Sequence, residues 1–237
     1  MTDLLYYANA YLRNCDAQVV AVDARGIILD RTVFYPLGGG QPGDAGSLKT
    51  ADGREVVIAD TRKGDAHGSV LHIPAPNQAR LNAGDRVAAA IDWDRRFHHM
   101  RVHTSLHVLS AAVPAGVTGG SVRYDSGRLD FDLPEVILER DRLEARLNEL
   151  ISGNHAVTPH WVSDEELADR PELVKTLSVT PPVGMGRVRL LEIAGVDLQA
   201  CGGTHVSNTA EIGRVRVVRI ENKGTHNRRV TVAFATE

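Results

Sequence analysis

Two segments far apart in the chain share one spacing, His103-Thr-Ser-Leu-His107 and Cys201-Gly-Gly-Thr-His205. Imidazole and thiolate are the preferred ligands of Zn²⁺, and two histidines four residues apart on a helix point the same way. The two halves together predict a bipartite metal site, which obliges the fold to bring residues 103 and 201 together. A lone HxxxH arises by chance in many helices. Paired glycines beside a thiol, here Gly202 and Gly203, serve little packing purpose but let the backbone fold closely around an ion. The other cysteine, Cys15, reads as an inert thiol, so no disulfide framework competes for Cys201.

With 237 residues, 43% of them hydrophobic and 24% charged, the chain has the makeup of an ordinary globular protein, with core enough for one large domain or two small ones. No run approaches the roughly 18 apolar residues needed to cross a bilayer, and the first residues lack the basic and apolar regions of a signal peptide. A cytoplasmic protein with no membrane partner is expected. The net charge of −3 creates no global attraction for nucleic acid, so any RNA contact must rest on local patches. Three candidates are visible: Arg95, Arg96, His98, His99 and Arg101; Arg214, Arg216 and Arg219; and Lys223, His226, Arg228 and Arg229. Taken singly, each reads better as a solvated face; their closeness in sequence to the metal half-motifs is what raises the RNA reading.

Short β-like runs separated by Gly-, Pro- and Asp-rich breaks fill the first part: Ala17 to Asp23, Gly26 to Phe34, Glu55 to Ala59, Val70 to Ile73 and Arg86 to Ile91. From Asp92 onward the elements lengthen. A helix is predicted from Asp94 to Ala112, stopping before Pro114, then a hairpin of Ser121 to Tyr124 and Arg128 to Leu133 turning at Asp125-Ser-Gly127. A second helix is predicted to open at Pro134 and carry Val136, Ile137, Leu143, Leu147, Leu150 and Ile151 to Gly153. Ser163-Asp-Glu-Glu166 matches a capping box, and strands over Arg187 to Ile193, Arg214 to Ile220 and Arg229 to Phe234 close the chain. The predicted class is α+β, with a glycine-rich β-barrel-like module over residues 1–92 and an α+β zinc-binding domain over 93–237.

A third motif, Arg31-Thr-Val-Phe-Tyr-Pro-Leu-Gly-Gly-Gly-Gln-Pro-Gly-Asp44, lacks the pattern of a phosphate-binding P-loop or a dinucleotide fingerprint and by itself reads as a tight glycine loop. Together with HTSLH, CGGTH, Arg128-Leu-Asp-Phe-Asp132 and the closing stretch from Asp197 to Gly213, it resembles the alanyl-tRNA editing family: the editing domain of alanyl-tRNA synthetase and its freestanding, AlaX-type relatives. The resemblance runs from about Thr32 to Phe234 and fits the medium-length class, which carries a glycine-rich module ahead of the metal domain. It implies that His103, His107, Cys201 and His205 hold one zinc ion per chain. It further implies that Gln41, with Gly39 and Gly40, lies in a loop near the metal, and that Thr32 senses a serine hydroxyl. No aminoacylation motif is recognisable, so a freestanding hydrolase with no nucleotide cofactor is expected.

A synthetase pocket built for alanine discriminates weakly against serine and cannot exclude glycine, so a second, hydrolytic sieve is needed. The expected substrate is the acceptor end of tRNA(Ala) carrying serine, with glycine as a further candidate. Thr32 and Gln41 are the candidate catalytic residues, and Gly39, Gly40, Arg95, Arg96, Arg101, Gly202, Gly203, Arg228 and Arg229 the candidate substrate and tRNA contacts. Four protein ligands ordinarily mark a closed structural zinc, so either one stays off the metal, His205 being the candidate, or the coordination expands. The rival readings are a threonyl-type editing domain, a non-catalytic RNA-binding module with structural zinc, and a metallohydrolase of small molecules.

Overall fold

The computed structural model of the protein describes residues 2–65, 68–134, 138–175 and 186–235. The chain separates into two compact units, Met1–Phe97 and His98–Glu237. The first contains β1 (Asp3–Leu4), α1 (Leu5–Ala8), β2 (Asn14–Asp23), β3 (Gly26–Leu29), β4 (Arg31–Thr32), β5 (Gly46–Thr50), β6 (Glu55–Lys63), β7 (Val70–Pro74) and β8 (Arg86–Ile91). Six of these close into a barrel in the order β2-β3-β7-β6-β5-β8, with every pairing antiparallel. Closure follows from alternation: Ala17 and Val19, Leu48, Val56 and Ile58, and Val87, Ala89 and Ile91 all turn inward onto one buried cluster with Phe34. The expected run from Gly26 to Phe34 is broken at Asp30, whose carboxylate accepts the backbone N–H groups of Gln18 and Arg31 and so diverts the chain from the ladder. Sequence reading missed β5. Its Gly46 is required by close approach, since a Cβ there would lie 2.1 Å from the Ala90 carbonyl oxygen on β8.

Helix α2 (Trp93–Ala112) begins in the first unit and continues into the second. Its start is fixed by Asp92, whose side chain accepts the Arg95 N–H at 3.1 Å, and Pro114 follows its end.

The second unit continues with β9 (Val117–Val122), β10 (Ser126–Asp132), α3 (Arg140–Ser152), β11 (Val157–Val162), α4 (Asp164–Ala168), β12 (Val188–Ile193), β13 (Asp197–Ala200), β14 (Val215–Lys223) and β15 (Asn227–Phe234). The capping box stands where the sequence put it, with Ser163 and Glu166 bonding reciprocally, whereas the expected hairpin forms with its first strand earlier, over β9, and turns at Tyr124-Asp125, so that Ser126 and Gly127 belong to β10 rather than to the turn. The helix expected from Pro134 begins at Arg140; the expected positions Val136 and Ile137 lie outside the described residues. Two antiparallel sheets result, β14-β15-β10-β9 and β11-β12-β13. Gly127 of β10 lets α2 close onto the larger sheet, since a Cβ there would meet Val102 at 2.7 Å. The exposed edge of β14 is covered by α3, where Asn148 both donates to and accepts from Val215 and Glu144 accepts the Val217 N–H. Among the described residues no helix is long and apolar enough to cross a membrane.

Candidate metal centre

Helix α2 presents His103 and His107 one turn apart, and the loop leaving β13 presents Cys201 and His205. Their four donor atoms lie within 4.8 Å of one another. The Cys201 Sγ stands 3.2 Å from His205 Nε2 and 3.7 Å from His103 Nε2. Donors about 2.0–2.3 Å from one tetrahedral ion are separated by roughly 3.5 Å, so the two Cys201 spacings suit such an ion and the widest separation would close by about 1 Å around it.

The surroundings fix which ring nitrogen faces the centre. Thr104 Oγ1 donates to the Met100 carbonyl at 2.8 Å, so toward His205 Nδ1, 3.2 Å away, it acts as acceptor. The Nδ1–H therefore points at Thr104 and the bare Nε2 at the thiol. His107 Nδ1 faces the Asp197 carboxylate at 3.3 Å, which leaves its Nε2 for the centre. Asp197 is fully enclosed and further held by Lys175 Nζ and Gln199 Nε2, each at 2.5 Å. The loop is braced by the Arg189 guanidinium, which donates to the carbonyls of Cys201 and Gly203, while the Gly203 N–H approaches Sγ at 3.5 Å.

The charges agree with a ligand set. Burial would raise the Cys201 thiol, but the imidazoles of His103, His205 and His107 outweigh it and hold the thiol well below its ordinary value. Burial would lower His107, but the Cys201 and Asp197 anions outweigh it and raise that imidazole to about 9. Burial and the His103 charge keep His205 well below the ordinary imidazole range. Burial likewise opposes ionisation of Asp197, yet His107, Gln199 and Lys175 bring it down to about 2. The cluster thus pairs a thiolate with a protonated His107, and a zinc-type ion would take the thiolate and displace that proton to gain the imidazole nitrogen. All four expected ligands converge, and nothing in the geometry sets His205 apart as the one held off.

The glycine-rich segment belongs to the first unit. Gly39 and Gly40, both at positive φ (55° and 82°), form a two-residue turn closed by reciprocal backbone bonds between Gly38 and Gln41. Gln41 is buried. Thr32 is also buried; its hydroxyl accepts the Phe34 N–H at 3.0 Å and pairs with His72 Nε2 at 2.8 Å. Because His72 Nδ1 donates to the Ile27 carbonyl, Nε2 is an acceptor and the Thr32 hydroxyl is its donor.

The arginine expectations need correction at Arg96. This side chain is fully buried; its Nε lies 3.0 and 2.9 Å from the two Asp44 oxygens, its Nη2 also binds Asp44, and it donates to the carbonyls of Ala10 and Val33. A guanidinium enclosed in this way cannot meet a phosphate, and its work is to hold the two ends of the glycine-rich segment together. Arg95 donates to the Gly43 carbonyl, Arg101 donates to the Ile212 carbonyl and covers the Phe234 ring, and Arg228 donates to the Pro134 carbonyl. Arg229 makes a two-pronged ion pair with Asp130. Sequence reading missed Thr104, although it lies inside HTSLH, and Asp197 and Lys175, which carried no spacing signal of their own.

Comparison with known proteins bears on the same residues. The family described as tRNA synthetases class II (A) matches residues 7–95, and that described as threonyl and alanyl tRNA synthetase second additional domain matches residues 188–231, including Cys201 and His205. The chain is 39% identical to the alanyl-tRNA editing protein AlaX-M of Methanosarcina acetivorans, across 97% of this chain and 98% of that one. It is 34% identical to the AlaX-M protein of Saccharolobus solfataricus over the same shares. It is 36% identical to the alanine–tRNA ligase of Metallosphaera sedula across 93% of this chain but 25% of the ligase. The ligase likeness is confined to a part of that enzyme, whereas the AlaX-M likeness runs nearly the length of both chains, so the chain belongs to the family of AlaX-M alanyl-tRNA editing proteins.

Proposed function

We propose that this chain, an aminoacyl-tRNA deacylase by family, hydrolyses the ester of tRNA(Ala) mischarged with serine, and secondarily with glycine, after release from the synthetase. The reading extends to residue roles: residues 93–237 as the editing domain, residues 1–92 as the module carrying the specificity loop, and a cytoplasmic setting alongside translation. The observation that carries it is the convergence of His103, His107, Cys201 and His205, with ring orientations set by Thr104 and Asp197.

Zinc bound there would polarise the ester carbonyl or bring a water's pKa toward about 7. The chain's own residues supply the rest. Asp197 keeps the His107 proton on Nδ1, and Thr104 does the same for His205. Discrimination is assigned to Thr32. Its hydroxyl gives its proton to His72 and accepts the Phe34 N–H, which leaves one lone pair; Thr32 is fully buried, so a serine hydroxyl would use that lone pair, a contact alanine cannot make, once substrate binding uncovers it.

The test is Cys201→Ala. Expected are loss of stoichiometric zinc and of most Ser-tRNA(Ala) hydrolysis, with far-ultraviolet circular dichroism retained. Full hydrolysis by a variant that binds no metal would overturn the zinc assignment. Rapid release of threonine-type mischarged substrates with no release of serine from tRNA(Ala) would overturn the substrate.

A further inference from the structure

The sheet β14-β15-β10-β9 is buried on one face only. Val217, Val230, Val232, Leu129, Phe131, Val117 and Val122 point into the core, and the alternate positions on each strand point out. Register places these outward residues in rows across the sheet. Arg216 stands opposite Ala233, which stands opposite Ser126, and the Arg123 N–H bonds the Ser126 carbonyl. In the next row Arg219 faces Thr231, Thr231 faces Arg128, and Arg128 faces Ser121. In the first row Ala233 and Ser126 lie between Arg216 on the edge strand β14 and Arg123, which follows β9; in the second Thr231 lies between Arg219 on β14 and Arg128 on the inner strand β10. Strands lie about 4.8 Å apart, so the floor of small side chains between the arginines is roughly 10–14 Å wide.

The charge on this face is one-sided. Asp130 is shared by Arg128 and Arg229, and Glu221 by Arg219 and Lys223, so each of these carboxylates is matched by two cations. Among the described residues Arg123 and Arg216 make no ion pair, and both are exposed. Six cations against three carboxylates, the exposed Asp132 being the third, stand on one sheet face of a chain whose net charge is −3. Folding has gathered residues from two separate stretches of sequence, 121–130 and 216–229, into this one surface, and the small floor leaves the guanidinium groups clear to reach outward. Flat width, a neutral floor and cationic margins suit a phosphodiester backbone, for which arginine forks are the matching donors. A protein partner would need a cluster of apolar anchors, and the large exposed apolar side chains here, Val218 on the edge strand and Tyr124 in the hairpin turn, stand apart at 45% and 46% exposure.

We infer that this arginine-margined outer face of the four-stranded sheet is a docking surface for the tRNA phosphate backbone, separate from the metal centre that handles the acceptor end. The inference rests on the tRNA reading above and adds where the body of that RNA is held. Arg216 and Arg219 carry it, and Arg96 does not.

The experiment is binding of uncharged tRNA(Ala) transcript to the full-length protein across salt concentrations, comparing wild type with Arg216→Gln/Arg219→Gln. The double variant is expected to raise Kd about tenfold near physiological salt and to flatten the slope of log K against log[salt] by about 1 to 2. Arg216→Lys/Arg219→Lys is expected to restore most of the slope, since a lysine supplies the charge without the fork. Arg142→Gln, on the exposed side of α3, serves as the control. An unchanged Kd and slope in the folded glutamine double variant would overturn the inference. The probe carries no ester, so the two readings fail separately. A wild type that binds tRNA through this face but hydrolyses no ester leaves the surface standing and removes the deacylase reading.

Discussion

Asp44→Asn is the most informative single change in the first unit, because the sequence alone makes Arg96 look like an RNA contact and the structure gives it a different task. The substitution preserves shape and removes one charge. Arg96, with no exposed surface, then becomes a buried cation without a counter-charge, facing one neutral amide oxygen and the carbonyls of Ala10 and Val33. Breaking a buried ion pair from one side costs about 3–5 kcal/mol, and the carboxylate also accepts the Tyr35 N–H at 2.6 Å, so the upper part of that range is expected. With a urea slope of about 2 kcal/mol/M, the unfolding midpoint should fall by roughly 2 M. Replacing both partners, Asp44→Leu with Arg96→Met, should cost much less than either single change, since no charge is left stranded. The assay is urea unfolding followed by circular dichroism, with tRNA binding measured on the same preparations. A loss below about 1 kcal/mol in Asp44→Asn, or an Arg96→Gln protein of full stability with a flattened salt dependence for tRNA, would refute the buried-clamp argument.

Three further outcomes follow from the geometry. Thr32→Val should reduce the preference for Ser-tRNA(Ala) over Ala-tRNA(Ala) and also destabilise the fold by about 2–4 kcal/mol, because the Phe34 N–H and His72 Nε2 both lose their partner; Thr32→Ser should keep both, and unchanged relative rates on the two esters in Thr32→Val would sink the assignment. Burial holds His72 at about 4, below its ordinary value near 6.5. The unfolded chain therefore takes up a proton in that window that the native state refuses, so stability present above pH 6.5 is lost as the pH falls toward 4, by about 3 kcal/mol from this one group. A His72 imidazole resonance that titrates near 6.5 in the native protein would contradict this. Asp197→Asn should weaken zinc binding about 10- to 100-fold by chelator competition while all four ligands remain in place, and wild-type affinity would show that the carboxylate does not orient His107.

The convergence of His103, His107, Cys201 and His205 was legible because its signal is local. Each half fits within five residues, and the chemistry of imidazole and thiolate names the ion class before any fold is known. The barrel strands were legible where one face is buried, as in β2, β6 and β8, since alternation then appears in the sequence. It fails for β11, an edge strand whose Thr158, Pro159, His160 and Trp161 are all exposed, and for β5, where Leu48 is the one large apolar residue turned inward. What decides Arg96 is a carboxylate 52 positions earlier, and nothing in Arg95-Arg96 distinguishes a half-exposed arginine from a buried one. The supporting shell of the centre was hidden for a similar reason. Asp197 reaches His107 across 90 positions, a contact that only the packing of β13 beside α2 creates.

The measurement that bears most directly on the central claim is release of labelled serine from Ser-tRNA(Ala), beside alanine from Ala-tRNA(Ala), by the purified protein before chelation, after it, and after zinc is restored. The account predicts serine release far faster than alanine release, abolished by the chelator and regained with zinc. Equal release of the two amino acids, or serine release that persists in metal-free protein, would contradict it.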